Sequence, residues 1–312
     1  MSILEHDDQF AGLAIREYGD GAAIEDPAGV AHRLSVDYEA AEDGGTITAL
    51  FERFLDDPAS RHATALVFGA WESIFDNSDS SVILGPLAAA ADRLPALKAV
   101  FLGDVTPEEC EISWINQADV GPLLAAYPGL EHLRVRGGMG LGFGCERHDG
   151  LRTLILESGG LPGELVRQVA AADLPRLEHL ELWLGTEGYG GDAAVGDLAP
   201  ILAGERLPAL RSLGLRNCEF ADALAAALAD APVLGRLDAL DLSLGNLGDE
   251  GAVALLEGGR LAGLKGLDIH HHYLSDEALD GLKALGLDLN DDDGQGDGDE
   301  SDRGIRYIAV TE

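Results

Sequence analysis

Between Leu210 and Leu287 one pattern is written three times, and it limits what the chain can fold into more than any other feature. It runs LRSLGLRNCEFAD from Leu210, LDALDLSLGNLGDEG from Leu237 and LKGLDIHHHYLSDEA from Leu264, a spacing of 27 residues each time. Apolar residues stand at offsets 0, 3, 5 and 10. These are Leu210, Leu213, Leu215 and Phe220, then Leu237, Leu240, Leu242 and Leu247, then Leu264, Leu267, Ile269 and Leu274. Offsets 3 and 5 leave the same face of a short strand, because side chains alternate along extended backbone. A helical stretch follows each strand, with Leu224 and Leu228, Val253 and Leu256, and Leu279 and Leu282 on helix stripes. Ser275 stands where a helix N-cap is wanted, and Asp276 and Glu277 suit the positive end of the helix dipole. One coil cannot bury both its strand and its stripe, but stacked coils can. The expected fold is therefore an α/β solenoid, with a parallel sheet on the concave side and helices or loops on the convex side.

The pattern can be followed backwards from these copies. Strand starts fall at Leu97, Leu130, Leu151, Leu177, Leu210, Leu237 and Leu264. Proline precedes four of them by two residues, at Pro95, Pro128, Pro175 and Pro208, where it stops the previous helix. Two coils carry insertions, after Leu102 and after Leu184, and insertions in a solenoid map to loops. The coil containing GGMGLGFGCERHDG is too short and too rich in glycine for a helix. Residues 1–96 form an N-terminal cap with irregular first coils. Here TITALFERFLDD has helical spacing, HATALVFGAWE has strand spacing, and SSVILGPLAAAADRL reads as a helix that starts or kinks at Pro86. Residues 97–289 are the repeats. Residues 290–304 are an acidic, flexible linker, and residues 305–312 are a C-terminal strand covering a sheet edge.

Charge narrows the partner. The chain has 21 basic and 56 acidic residues, a formal net charge of −35. Phosphate binding needs cationic contacts, so nucleic acid and anionic membranes are poor partners. No stretch approaches the roughly 18 consecutive apolar residues of a membrane span, and the N-terminus lacks a cationic segment followed by an apolar run. A cytoplasmic location is the expectation. Cys110, Cys145 and Cys218 form no spaced framework, which argues against disulfides or a zinc ribbon. Cys218, at offset 8, is expected to be a buried ladder residue.

If offsets 3 and 5 face the core, offsets 2, 4 and 6 face the concavity. That face carries the candidate partner-binding residues Arg134, Arg136, Glu157, Glu181, Trp183, Arg216, Asp241, Asp268 and His270. Arginine and tryptophan are typical binding anchors, and an acidic or aromatic-rich segment would suit them. The run His270, His271, His272 hints at a metal. Consecutive strand residues diverge, however, so a metal would need outside carboxylates such as Asp241 or Asp268. His272 is expected at the ladder position. No G-x-S-x-G, P-loop or H-E-x-x-H occurs, no calcium loop fits the tail, and no cofactor or catalytic residue is expected.

The L-x-x-L-x-L pattern, LDLSLGNLGDEG and Cys218 resemble the leucine-rich repeat of the ribonuclease-inhibitor type. Over nearly its whole length the chain also resembles an uncharacterised bacterial family of leucine-rich-repeat proteins, through FLGDVTPEECEISWINQADV, LEHLELWLGTEGYGGDA and LDIHHHYLS. Members of that family are encoded near radical-SAM, ATP-grasp and sulfatase-like enzymes. The resemblance implies a leucine-rich-repeat horseshoe with an accessory role in a bacterial biosynthetic pathway, and supplies no catalytic residues. The expected function is a non-enzymatic scaffold binding a protein or peptide on its concave face. The alternatives are a metal-dependent factor or enzyme using Asp241, Asp268 and His270, and a structural subunit of an oligomer.

Overall fold

A computed structural model of the chain describes residues 4–19, 23–74, 78–296 and 305–311. It divides into two compact units that meet in sequence between Glu157 and Ser158. Both are built from the same coil of strand, turn and helix or loop, so the fold is the α/β leucine-rich-repeat solenoid that the spacing predicts.

The first unit holds strands β1 (Gln9–Phe10), β2 (Leu13–Glu17), β3 (Val30–Leu34), β4 (Ala65–Phe68), β5 (Ala99–Leu102), β6 (His132–Arg136) and β7 (Thr153–Glu157). They pair in chain order, parallel except for the β1–β2 hairpin. Its helices are α1 (Tyr38–Glu42), α2 (Ile47–Asp56), α3 (Ser81–Ala89) and α4 (Gly121–Ala126). Thr46 caps α2 by accepting from the Ala49 N–H, and the stripe Ile47, Leu50, Phe51, Phe54 and Leu55 is buried. Helix α3 begins before Pro86, which lies in its interior. Proline cannot donate to the Val82 carbonyl four residues back, and the Thr48 hydroxyl approaches that oxygen instead, at 3.5 Å.

The second unit holds α5 (Gly163–Ala171), β8 (His179–Gly185), α6 (Ala199–Ala203), β9 (Ser212–Cys218), α7 (Ala221–Ala229), β10 (Ala239–Asp241), α8 (Asp249–Gly258), β11 (Gly266–Asp268), α9 (Asp276–Lys283) and β12 (Asp288–Asn290). Strands β8 to β12 run parallel in chain order. The register sets Leu213, Leu240, Leu267 and Leu289 side by side, a continuous core ladder. Ser275 caps α9, accepting from the Ala278 N–H. The chain leaves three strands through a left-handed residue at offset 7: Asn217, Leu244 and His271. Left-handed backbone costs a side-chain residue about 1–2 kcal/mol, so the turn is held by packing around it. Just beyond it, Cys218 and His272 are buried as the ladder position requires. His272 accepts from the Leu274 N–H through Nδ1, and its Nε2 donates to the Asp291 carbonyl.

The N-terminal cap opens with a hairpin: Ala11 and Gly12, both left-handed, close a two-residue turn between Phe10 and Leu13. Two expectations need correction. The repeats do not stop at Leu289, because Asn290 completes β12 and Gly294 bridges to His272. Of the acidic segment, residues 297–304 lie outside the described residues. Ile305–Thr311 is not a strand, and it covers no sheet edge. It crosses the ends of successive coils, where the Tyr307 N–H donates to the Tyr273 hydroxyl, the Ala309 N–H to the Leu244 carbonyl and the Val310 N–H to Asn217 Oδ1. Asn217 Nδ2 returns a bond to the Val310 carbonyl at 2.5 Å and reaches the Ser158 carbonyl at 3.3 Å. Asn217→Ala strips these bonds and should cost about 1–3 kcal/mol. For a chain of this size that is a fall in Tm of about 2–5 °C by circular dichroism. Deleting residues 305–311 should lower Tm as well. If neither change moves Tm, the tail is not docked as described.

Candidate binding face

Alternation along the strands decides what the sheet presents. Leu133, Val135, Leu154, Leu156, Leu180, Leu182, Leu213 and Leu215 all point into the core with no exposed surface. The intervening residues form the open face. All nine sequence-derived candidates lie on it, at the positions the parity requires. Their surroundings differ from the expectation, because the arginines and the tryptophan are already engaged within the chain.

In the first unit, Glu157 lies between two arginines. Arg134 Nε donates to Glu157 Oε1 at 2.8 Å and Arg136 Nε to Glu157 Oε2 at 2.8 Å, while Arg134 Nη2 lies 2.7 Å from Oε1. The Arg134 guanidinium stacks 4.2 Å from the centre of the Phe101 ring. Arg136 is only 1% exposed, and its Nη1 donates to the Val105 carbonyl. Next to this cluster the open face of β3, β4 and β5 is a shallow apolar trough of Ala31, Ala65, Val67, Ala99 and Phe101. The chain's own N-terminal segment fills it. Phe10 packs into the trough with its ring centre 5.7 Å from that of Phe101, and Leu13 and Ile15 pack beside it. Asp7 Oδ2 reaches Arg134 Nη1 at 2.9 Å and Arg136 Nη2 at 3.5 Å. Burial pushes the Asp7 carboxyl above its ordinary value, and the attraction of Arg134 and Arg136 does not fully offset that. Farther along, Arg33 is held by Glu17 and by Asp104 Oδ2 at 2.9 Å, with His6 Nδ1 3.0 Å from its Nη2. An acidic and aromatic segment therefore does lie on Arg134 and Arg136, and it belongs to the same chain.

In the second unit a network of bonds spans three strands, β8, β9 and β10. Trp183 Nε1 donates to Glu181 Oε1 at 2.6 Å, and Arg216 Nη1 donates to the same oxygen at 2.9 Å. Arg216 covers the Trp183 ring at 4.9 Å, donates through Nε to Ser243 Oγ at 2.9 Å and lies 3.2 Å from Asp241 Oδ2. Trp183 is 1% exposed, so it offers no flat surface to a partner. Burial raises the Glu181 carboxyl, but the His179 hydrogen bond, Arg216 and Trp183 outweigh it and bring it down to about 2. Glu181 is thus an anion at any ordinary pH. Its share of stability is full above 4.5 and is lost only as pH falls through about 2. Asp241, Asp268 and His270 are half-buried, so part of each reaches the surface. His270 Nδ1 sits 2.7 Å from Asp268 Oδ1, and Asn290 Nδ2 donates to Asp268 Oδ2 at 3.0 Å.

Among the described residues no group of three or more His, Cys, Asp or Glu is placed to hold a metal ion. His270, His271 and His272 diverge: toward Asp268, toward Asp293 and Tyr307, and into the ladder. Burial pushes the thiols of Cys110, Cys145 and Cys218 up, Cys110 to about 11, which suppresses the thiolate. No helix among the described residues is long and apolar enough to cross a membrane.

Sequence reasoning missed three participants. Asp7, Phe10 and Arg33 lie outside the clear repeats, so no repeat offset pointed to them. The available signal was the alternation of Phe10, Leu13 and Ile15 about Ala11-Gly12.

No protein-family model matches the sequence, and no curated protein does. Among solved structures, a structural-genomics crystal structure of a Bacteroides fragilis protein is similar, with a TM-score of 0.79 and 29% sequence identity. The likeness covers 91% of this chain and 78% of that one. An internalin from Listeria monocytogenes is a weaker match, with a TM-score of 0.33 and 13% identity over 77% of this chain and 76% of that chain. At that score it carries no argument.

Proposed function

We propose that the chain is a non-catalytic scaffold that binds a protein or peptide segment on the open strand face of its repeats. The observation that carries this reading is the first unit's trough, where an extended segment is held by a carboxylate on two arginines and a phenylalanine on an apolar floor. A face that holds one segment by its side chains has the chemistry to select others. The half-buried row Asp241, Asp268 and His270 extends the same kind of surface in the second unit, with each group oriented by a hydrogen bond. The resemblance to ribonuclease-inhibitor-type repeats and to the bacterial family supports a cytoplasmic accessory role beside a biosynthetic enzyme.

The test is capture of a partner from a bacterial lysate by the immobilised chain. Asp268→Asn and His270→Ala alter the open face without uncovering core, and each should lower retention several-fold, about 1 kcal/mol or more. Arg167→Glu on α5, which faces Glu164 and Asp197 at the surface, is the control and should retain the partner. Equal losses in the control and the open-face variants would refute the face assignment. A bare column with every variant would refute the scaffold reading itself.

A further inference from the structure

We propose that residues 6–10 occupy a recognition groove in cis, and that the groove's partner ligand is an extended peptide with a carboxylate three residues ahead of an aromatic side chain. The partner peptide and the N-terminal segment would then compete for one place. This deepens the scaffold reading and rests on it.

The segment has two buried anchors. Phe10 is buried and the Asp7 side chain is nearly so, whereas Leu4, Glu5, His6, Asp8 and Gln9 are exposed, His6 reaching Arg33 Nη2 from the outside at 3.0 Å. Along extended backbone, three residues span about 10 Å. That span sets a carboxylate on Arg134 and Arg136 and a ring in the trough. The trough takes a ring because its floor is small: Ala31, Ala65 and Ala99 offer nothing beyond Cβ, and Phe101 closes it.

Charge selects the other anchor. Arg134 and Arg136 both bond the buried Glu157, and Asp7 brings a second carboxylate to the same two guanidinium groups. Removing Asp7 takes an ion-pair partner from buried cations, which favours entry of another carboxylate. A neutral or cationic peptide would bring none.

The cis segment is also lightly fastened. Strand β1 is two residues long: it pairs Gln9 with Ala14 and Phe10 with Leu13, and beyond these the Ile15 N–H donates to the Asp8 carbonyl and the Asp7 N–H to Asp104. Its turn is a pair of left-handed residues, Ala11 and Gly12, a compact pivot. Burial holds the Asp7 carboxyl above its ordinary value, opposing its charged form. A ligand with the same anchors can therefore displace it without dismantling the parallel sheet.

The experiment places a protease site between Ala11 and Gly12 in the full chain. After folding and cleavage, the N-terminal fragment becomes a free ligand and is removed by dialysis. The probe is a fluorescent peptide with the sequence of residues 4–12, LEHDDQFAG. Cleaved protein should bind it at least tenfold more tightly than intact protein by fluorescence anisotropy. Probes with lysine for the Asp7 equivalent, or alanine for the Phe10 equivalent, should bind at least tenfold more weakly than the parent. The proposal is overturned if cleaved protein binds no probe, or binds the altered probes equally well. Should cleavage abolish the cooperative thermal transition, hydrogen exchange on intact protein decides. Faster exchange at residues 8–15 on adding excess probe supports displacement, and unchanged exchange overturns it. If lysate capture succeeds while the probe fails, only this proposal falls; if both fail, the scaffold reading falls with it.

Discussion

Leu240→Asp is expected to abolish the cooperative thermal transition of the second unit. Leu240 is 1% exposed and lies in register between Leu213 on β9 and Leu267 on β11. A carboxylate there would stand between the apolar side chains of Leu213 and Leu267. Burying such a group costs several kcal/mol, a large part of a total stability that is typically about 5–15 kcal/mol. The neighbouring substitution Ala239→Asp reverses the geometry, because Ala239 faces the open side and is only half-buried. It should cost no more than about 0.5 kcal/mol, as surface changes usually do. Far-ultraviolet circular dichroism on heating compares the two. An unchanged transition in Leu240→Asp would overturn the repeat register.

Glu157→Ala should be the most damaging single truncation on the open face, at about 3–5 kcal/mol. Its carboxylate is fully buried and is shared by Arg134 and Arg136. Removing it takes from Arg134 and Arg136 the buried carboxylate they share. The cost comes from the stranded cations more than from the lost bonds, which makes the effect conditional. Arg136→Met introduced together with Glu157→Ala should recover part of the loss, since it removes one of the charges. A double-mutant cycle in urea measures this. Strict additivity of the two substitutions would show that the three groups do not act together.

Much of this molecule was legible in advance because the repeat converts spacing into geometry. Once Leu213 and Leu215 are placed in the core, the positions of Trp183, Arg216, Asp241 and Asp268 follow from alternation alone. The ladder role of Cys218 and His272 follows from the offset. What alternation does not give is occupancy. The sequence places Arg134 on the open face, yet nothing within its own repeat reveals that Asp7, far away in the chain, will sit on it. The hairpin that delivers Asp7 turns at Ala11-Gly12, where an Asn-Gly pair would have been a plainer signal. The tail misled for a related reason. Ile305 to Thr311 has a strand's alternation, but it lies across the coil ends, where the acceptors are Asn217 and Leu244 carbonyl and amide groups instead of a neighbouring strand.

That tail alters how the second unit comes apart. A stack of coils is nearly one-dimensional: each coil feels only its neighbours, and melting travels inward from a loose end. The segment Tyr307–Val310 is fastened in turn at Tyr273, Leu244 and Asn217, so it links coils that do not touch through the stack alone. In a nearest-neighbour description this is an additional coupling that skips positions. Fraying at β12 no longer proceeds coil by coil, because opening the coil of β11 also strains the bonds at β9 and β10. The last coils should therefore exchange their amide hydrogens as one cooperative block, and a pull applied at Val310 would load the coil of Asn217 before that of Tyr273.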